Sequence, residues 1–207
     1  MEKEIRSFDF EMRAETREDG KGEIYGRPIV YEQKTDLGGF DEVIASGALD
    51  RANLKDVRLL VNHDTSMIPL ARSRNNNANS TMQLMPDEAG LGFRASLDIE
   101  NNSDARNLYS AIQRGDITGM SFMFLVGGEA WEDIKSDHPT RVITDISDVF
   151  EVSAVTFPAY EGTSIGVRDK QALDSAERAL ESARKSLESE ERAEALVKFN
   201  EKWRATK

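Results

Sequence analysis

The chain has 207 residues, 39% hydrophobic and 31% charged, enough for one sizeable core with an appendage or for two small domains. A formal net charge of -11 argues against nucleic-acid binding through a basic face, and the lack of cysteine excludes disulfides, thiolate catalysis and cysteine-ligated zinc. No apolar run approaches the roughly 20 residues that cross a bilayer, and Met1–Arg6 lacks the apolar stretch of a secretion signal, which fits a cytoplasmic protein that binds neither membrane nor nucleic acid. The charge is uneven. Residues 170–207 hold 9 Lys/Arg against 8 Asp/Glu, so the remaining residues hold 18 basic against 30 acidic groups, a net of -12. An acidic body serves solubility and would meet a basic partner.

In chain order, Phe8, Phe10, Met12 and Ala14 alternate with polar residues, the period of a half-buried strand. Glu18-Asp19-Gly20-Lys21-Gly22 is a hairpin signal. Strand character follows in Ile24–Gly26 and Ile29–Tyr31 and again in Phe40–Ile44, with a helical turn expected at Gly47–Asp50. Val57–Val61 is β-rich and ends at Asn62-His63, and Met67–Ala71 reads as a further strand before the loop Arg74–Ser80. Leu91, Phe93, Ala95, Leu97 and Ile99 alternate cleanly. Asn102-Ser103-Asp104 can cap a helix through Ala105, Leu108, Tyr109 and Ile112, closed by Gly115. Ile117–Val126 is the next strand, Gly127-Gly128 a turn and Trp131–Pro139 a loop. Val142, Ile143, Ile146 and Val149 then lead into a strand through Glu151 to Pro158.

From about Lys170, Gly and Pro vanish. Leu173, Ala176, Leu180, Ala183 and Leu187 step by threes and fours, and Leu196, Phe199 and Trp203 resume the pattern after a polar interruption at Ser189–Arg192. This predicts a helical tail of one or two helices, too thin in apolar surface to stand alone. The many short, regularly punctuated strands before it predict a closed or nearly closed barrel.

Three segments carry the chemistry: Leu60-Val61-Asn62-His63-Asp64, Gly119-Met120-Ser121-Phe122-Met123-Phe124 and Phe150-Glu151-Val152-Ser153-Ala154-Val155-Thr156-Phe157-Pro158. They supply a base, a nucleophile and an acid to orient the base, the parts of a serine hydrolase. His63 and His138 are the only histidines. His138 lies in the polar turn Asp137-His138-Pro139 and is expected in solvent, whereas His63 ends a buried strand. Taken alone, His63 fits a structural histidine, Ser121 a strand hydroxyl bonded to a neighbour, and Glu151 a carboxylate paired with an arginine. Asp145 and Asp148 are further acids on the same strand. Met123 stands where a G-x-S-x-G elbow needs its second glycine, which argues against an α/β-hydrolase. His63-Asp64 with Asp98 or Asp104 offers only a weak metal set, and there is no phosphate or dinucleotide loop, so neither metal nor cofactor is expected.

In this order the three segments resemble the prohead (procapsid maturation) protease family of tailed bacteriophages: an N-H-D segment, an S-F-x-F segment and an E-V-S-x-V-T-F-P segment. Glu42-Val43-Ile44 with Gly47-Ala48-Leu49 resembles the family's segment before the histidine. The resemblance covers about residues 5–168. It implies an α+β fold with a β-barrel core like that of herpesvirus assembly proteases, few surrounding helices and a helical C-terminal tail. Residues 1–168 would be the protease domain and 169–207 a scaffold-like tail. Ser121 would be the nucleophile, His63 the general base and Glu151 the third member. The sequence does not identify the oxyanion donors; a backbone N–H near Ser121 and the Arg72 side chain are the candidates.

The implied activity is a serine endopeptidase acting on the major capsid protein precursor and its scaffold segments, and on itself, inside the procapsid in the host cytoplasm. Self-cleavage is expected within Val167–Ala176, and self-association would couple activity to confinement in the shell. The alternative is a non-enzymatic assembly or scaffolding factor with an unused triad.

Overall fold

The computed structural model describes residues 3–9, 12–16, 21–157 and 170–205. Eleven strands and two helices make an α+β fold among these residues. The first sheet is built around one long strand, β11 (Thr140–Val155). One edge of β11 pairs antiparallel with β10 (Gly119–Glu132), which in turn pairs with β1 (Glu4–Asp9). The other edge takes two parallel partners in succession: β5 (Asp41–Ile44) against residues 140–143, then β6 (Asp56–Val61) against residues 151–154. The short strands β4 (Thr35–Asp36) and β7 (Ala71–Arg74) flank β5 and β6. The second sheet runs β2 (Arg13–Thr16), β3 (Gly22–Val30), β9 (Gly90–Leu97), β8 (Met82–Asp87), all antiparallel.

The alternating residues read from the sequence do face the core. Leu91, Phe93, Ala95 and Leu97 of β9 are fully buried, as are Ile24 and Ile29 of β3 and Met120, Phe122 and Phe124 of β10. They belong to one apolar cluster that draws on both sheets and on the first helix, α1 (Ser103–Arg114). Each large side chain buried there contributes about 1.5–3 kcal/mol. The capping read from the sequence holds: the Asn102 side chain accepts from the Asp104 and Ala105 N–H groups, and Gly115, at φ 75°, donates back to Ile112.

Of the closed or nearly closed barrel expected, the closed form is absent among the described residues. Closure needs an unbroken backbone ladder, and none joins the two sheets, neither between β1 and β2 nor between β7 and β8, where side chains take its place. Arg72 N–H donates to Thr81 Oγ1 and Arg74 N–H to Ser80 Oγ, both at 2.9 Å. The Asn76 amide donates to the Leu84 carbonyl and accepts from the Leu84 N–H, both at 2.7 Å.

Other elements shift from their expected bounds. The pattern Phe8–Ala14 is split between β1 in one sheet and β2 in the other, with Phe10 outside the described residues. Met67–Leu70 is not a strand, since Pro69 has no N–H to donate, and β7 begins at Ala71. Gly127-Gly128 does not turn the chain. It lies within β10 at register shifts, where a β-carbon on Gly127 would sit 2.2 Å from the Asp145 carboxylate.

The tail is a single helix, α2 (Lys170–Ala205), uninterrupted at Ser189–Arg192. Leu180 packs with Leu37, Phe40 and Trp131, and the Arg184 guanidinium donates to the Ile134 and Ser136 carbonyls at 3.1 and 2.9 Å. Beyond that contact Leu196 and Val197 are exposed. The expected cleavage segment, Val167 to Ala176, lies outside the described residues as far as 169 and continues as the first turns of α2. Among the described residues no helix is long and apolar enough to cross a membrane.

Candidate active site

β6 runs in the sheet beside β11 and stops where the chain bends sharply. Asn62 and His63 both take left-handed backbone angles, φ 51° and 57°, which costs a non-glycine residue of order 1 kcal/mol or more. Hydrogen bonds from both sides hold the bend. Asn62 N–H donates to the Ala154 carbonyl at 2.9 Å and Asp64 N–H to the Val61 carbonyl at 3.1 Å. The Asn62 side chain donates to Thr156 Oγ1 and accepts from Thr156 N–H, both at 3.0 Å. His63 thus stands over β11, where Glu151 waits.

His63 Nδ1 lies 2.6 Å from Glu151 Oε1. The pair is largely shielded, the side chains being 17% and 4% exposed. An ionised carboxylate only accepts, so Nδ1 carries the proton and the lone pair is left on Nε2. Nε2 is buried and makes no hydrogen bond to a described residue. A buried acceptor without a partner is uncommon and calls for an explanation. The second carboxylate oxygen, Oε2, accepts from Ser153 O–H at 2.5 Å, and Ser153 Oγ in turn accepts from His63 N–H at 3.1 Å.

Ser121 is placed by strand register. On β10 it stands directly opposite Ser7 of β1 on one side and Ser153 of β11 on the other, so three serines lie abreast on one face of the sheet. Ser121 is fully buried. Its hydroxyl donates to the Arg6 carbonyl at 2.8 Å and accepts from Ser7 O–H at 2.9 Å. No hydrogen bond joins Ser121 to His63. Of the three expected residues the structure therefore joins two, and sets the third one strand away on the same face with its proton directed at β1.

On the opposite face of β1, Arg6 anchors a buried ion network. Its guanidinium binds Glu42 at 2.5 and 2.8 Å and Glu4 at 2.6 Å. Arg141 binds the same two carboxylates at 2.8–3.0 Å and reaches out to Glu129. Burial pushes the Glu4 carboxyl up, but the Arg141 hydrogen bond and the charges of Arg6 and Arg141 outweigh it, and its pKa is lowered. Burial likewise pushes both guanidinium groups down, and their carboxylate partners raise them on balance.

The remaining candidates are engaged elsewhere. Asp145 accepts from Arg51 and Asp148 from Asn53, so neither backup acid serves His63. Arg72 is tied to Asp56 by bonds of 2.6 and 2.8 Å and makes no bond to Ser121. His138 is half-exposed and 3.0 Å from Asp41. His63, Asp98 and Asp104 do not assemble as ligands. Among the described residues the one group of three within mutual reach is Asp36, Asp41 and His138, and Lys34 already pairs with Asp41 at 3.1 Å. Sequence reasoning passed over Ser153 and Ser7. The first was findable, since a residue two places after Glu151 on a strand shares its face. The second was not, because the pairing of β1 with β10 leaves no local trace.

The capsid assembly protease gp21 of bacteriophage T4 is 13% identical, the alignment covering 75% of this chain and 99% of that one, with a TM-score of 0.44. No curated protein matches the sequence. The profile of the family Peptidase_S78, the caudovirus prohead serine proteases, matches residues 8–177. The chain belongs to the caudovirus prohead serine protease family.

Proposed function

We propose that this capsid maturation protease is a serine endopeptidase that cleaves the major capsid protein precursor and its scaffold segments, and itself, with Ser121 as nucleophile, His63 as general base and Glu151 as the group that orients and charges-compensates the base. One observation supports this above the others: His63 is bonded to Glu151 through Nδ1 and keeps Nε2 buried and unbonded beside the sheet face that carries Ser121. In the reaction the Ser121 hydroxyl leaves the Arg6 carbonyl and turns to Nε2. The O–H proton passes to His63 as Oγ bonds to the scissile carbonyl carbon. The imidazolium, paired with Glu151, then hands that proton to the departing amine as the C–N bond breaks. Water hydrolyses the acyl-enzyme by the same route in reverse.

The body of residues 1–168 would carry the chemistry, and the tail of residues 169–207 would bind helical segments of capsid precursors. Work inside the procapsid, in the host cytoplasm, accounts for a resting state in which Ser121 is covered. The same covering favours the second reading, an assembly factor whose triad is idle, because Ser121 has no bond to His63. Co-expression of wild type and of Ser121→Ala with the capsid precursor separates the two. Intact-mass analysis should show truncated precursor only with wild type, and identical masses with both would leave the assembly factor.

A further inference from the structure

Ser153 has no part in the three-residue scheme, yet its hydroxyl touches both halves of the His63–Glu151 pair. It is fully buried. A hydroxyl has one proton and two lone pairs, and here their assignment is forced. His63 N–H is a donor, so Ser153 Oγ must accept it, at 3.1 Å. Glu151 Oε2 only accepts, so the Ser153 proton must go there, at 2.5 Å.

We propose that Ser153 is a positioning residue for the proton-relay pair, coupling the strained main chain at His63 to the rotation of the Glu151 carboxylate. The inference rests on the catalytic reading above. A carboxylate held through one oxygen only can turn about its last torsion, which is broad and soft. Ser153 fixes the second oxygen and so fixes the line from Oε1 to Nδ1. The same hydroxyl ties down the N–H of a residue in the left-handed region, where a non-glycine backbone persists only if its surroundings hold it. Without Ser153, Glu151 Oε2 and the His63 N–H both lose their partner in a buried place, and the imidazole is no longer held in one orientation on Glu151.

The test uses the full chain and two readouts. The first is the low-field proton resonance of His63 Nδ1, recorded without any substrate. The second is labelling of Ser121 by a serine-directed fluorophosphonate, in which Oγ bonds to phosphorus, fluoride leaves and the hydroxyl proton passes to His63. In Ser153→Ala the resonance should move upfield or vanish, and the maximal labelling rate should fall about 10- to 100-fold, the scale of a small misalignment at a reacting centre. The half-saturating probe concentration should stay within about twofold, because Ser153 positions the base and does not hold the probe.

If Ser153→Ala does not fold, Ser153→Cys decides. It is nearly isosteric and its thiol is a weak donor, so both signals should move in the same direction. A folded variant with the wild-type resonance overturns the inference, and so does an unchanged labelling rate where wild type labels faster than Ser121→Ala. A wild-type protein that labels no better than Ser121→Ala while Ser153→Ala still loses the resonance would sink the protease reading and leave the positioning role standing.

Discussion

The Ser121 hydroxyl donates to the main-chain carbonyl of Arg6 at 2.8 Å. That carbonyl belongs to β1, which the ladder to β10 holds in register, and the Arg6 side chain is bound on the other face of the sheet by Glu4 and Glu42. The residue that accepts the Ser121 proton is thus also a member of the buried ion network. On the proposed mechanism the base would be in place, bonded to Glu151, while the nucleophile keeps its proton on β1.

The hold on Ser121 should be measurable at Ser7. The Ser7 hydroxyl donates to Ser121 Oγ at 2.9 Å, and one such bond is worth about 0.5–1.5 kcal/mol net. Ser7→Ala should release that much of the hold and raise the fluorophosphonate labelling rate of the free protein about 2- to 10-fold. A tenfold loss instead would place Ser7 among the donors that stabilise the transition state.

Glu151→Gln keeps the size of the side chain and reverses its hydrogen-bonding. A carboxamide can donate to Nδ1, which moves the imidazole proton to Nε2, and Nε2 can then no longer take the serine proton. Loss of the carboxylate also removes the charge that favours the imidazolium. Cleavage of a capsid-precursor peptide should fall about 10²- to 10⁴-fold, with the far-ultraviolet circular dichroism unchanged. Activity within threefold of wild type would remove Glu151 from the mechanism.

The sequence says more about His63 and Glu151 than about the surroundings of Ser121. A carboxylate that interrupts an apolar strand needs a partner; on its own that partner reads as an arginine, and it is the family resemblance that pairs Glu151 with His63. The clean alternation of Leu91, Phe93, Ala95 and Leu97 likewise marked β9, and Asn102 with Gly115 marked both ends of α1. What stayed hidden depends on contacts between distant segments. Arg6 and Glu42 are 36 residues apart, and Arg141 and Glu4 are 137 apart. In the sequence each reads as an ordinary surface charge. Barrel closure stayed hidden for a related reason: strand count is visible locally, whereas closure depends on whether the two sheets share ladders, and neither β7 with β8 nor β1 with β2 does.

Arg141 is nearly fully buried between Glu4 and Glu42. Removing one partner of a buried ion network leaves uncompensated charge and costs about 3–5 kcal/mol. Arg141→Ala should lower the unfolding free energy by that amount in urea titrations, far beyond the effect of Arg27→Ala. The Arg27–Asp87 pair has equally short bonds but lies at the surface, where such pairs contribute about 0–1 kcal/mol. Equal losses for the two variants would show that the buried network is not what stabilises β1.

The same network predicts how the fold responds to acid. The Glu4 carboxyl lies below its ordinary value of 4.5 in the folded protein: burial raises it, and Arg141 and Arg6 lower it further than burial raises it. In the window between the folded and the ordinary value the unfolded chain binds more protons than the folded one, so stability rises with pH there. The contribution of Glu4 is therefore fully present above about pH 4.5 and is lost as pH falls through the folded value. Urea midpoints of wild type should drop as pH is lowered from 5 toward 3, at about that range. Glu4→Gln should be less stable at neutral pH and should lose less on acidification, so the two curves converge at low pH. Because Glu4 pairs with the residue whose carbonyl holds Ser121, the labelling rate of the variant reads the same coupling from the active-site side: it should rise where the network is weakened, and a variant with lower stability but the wild-type rate would uncouple the ion network from the position of Ser121.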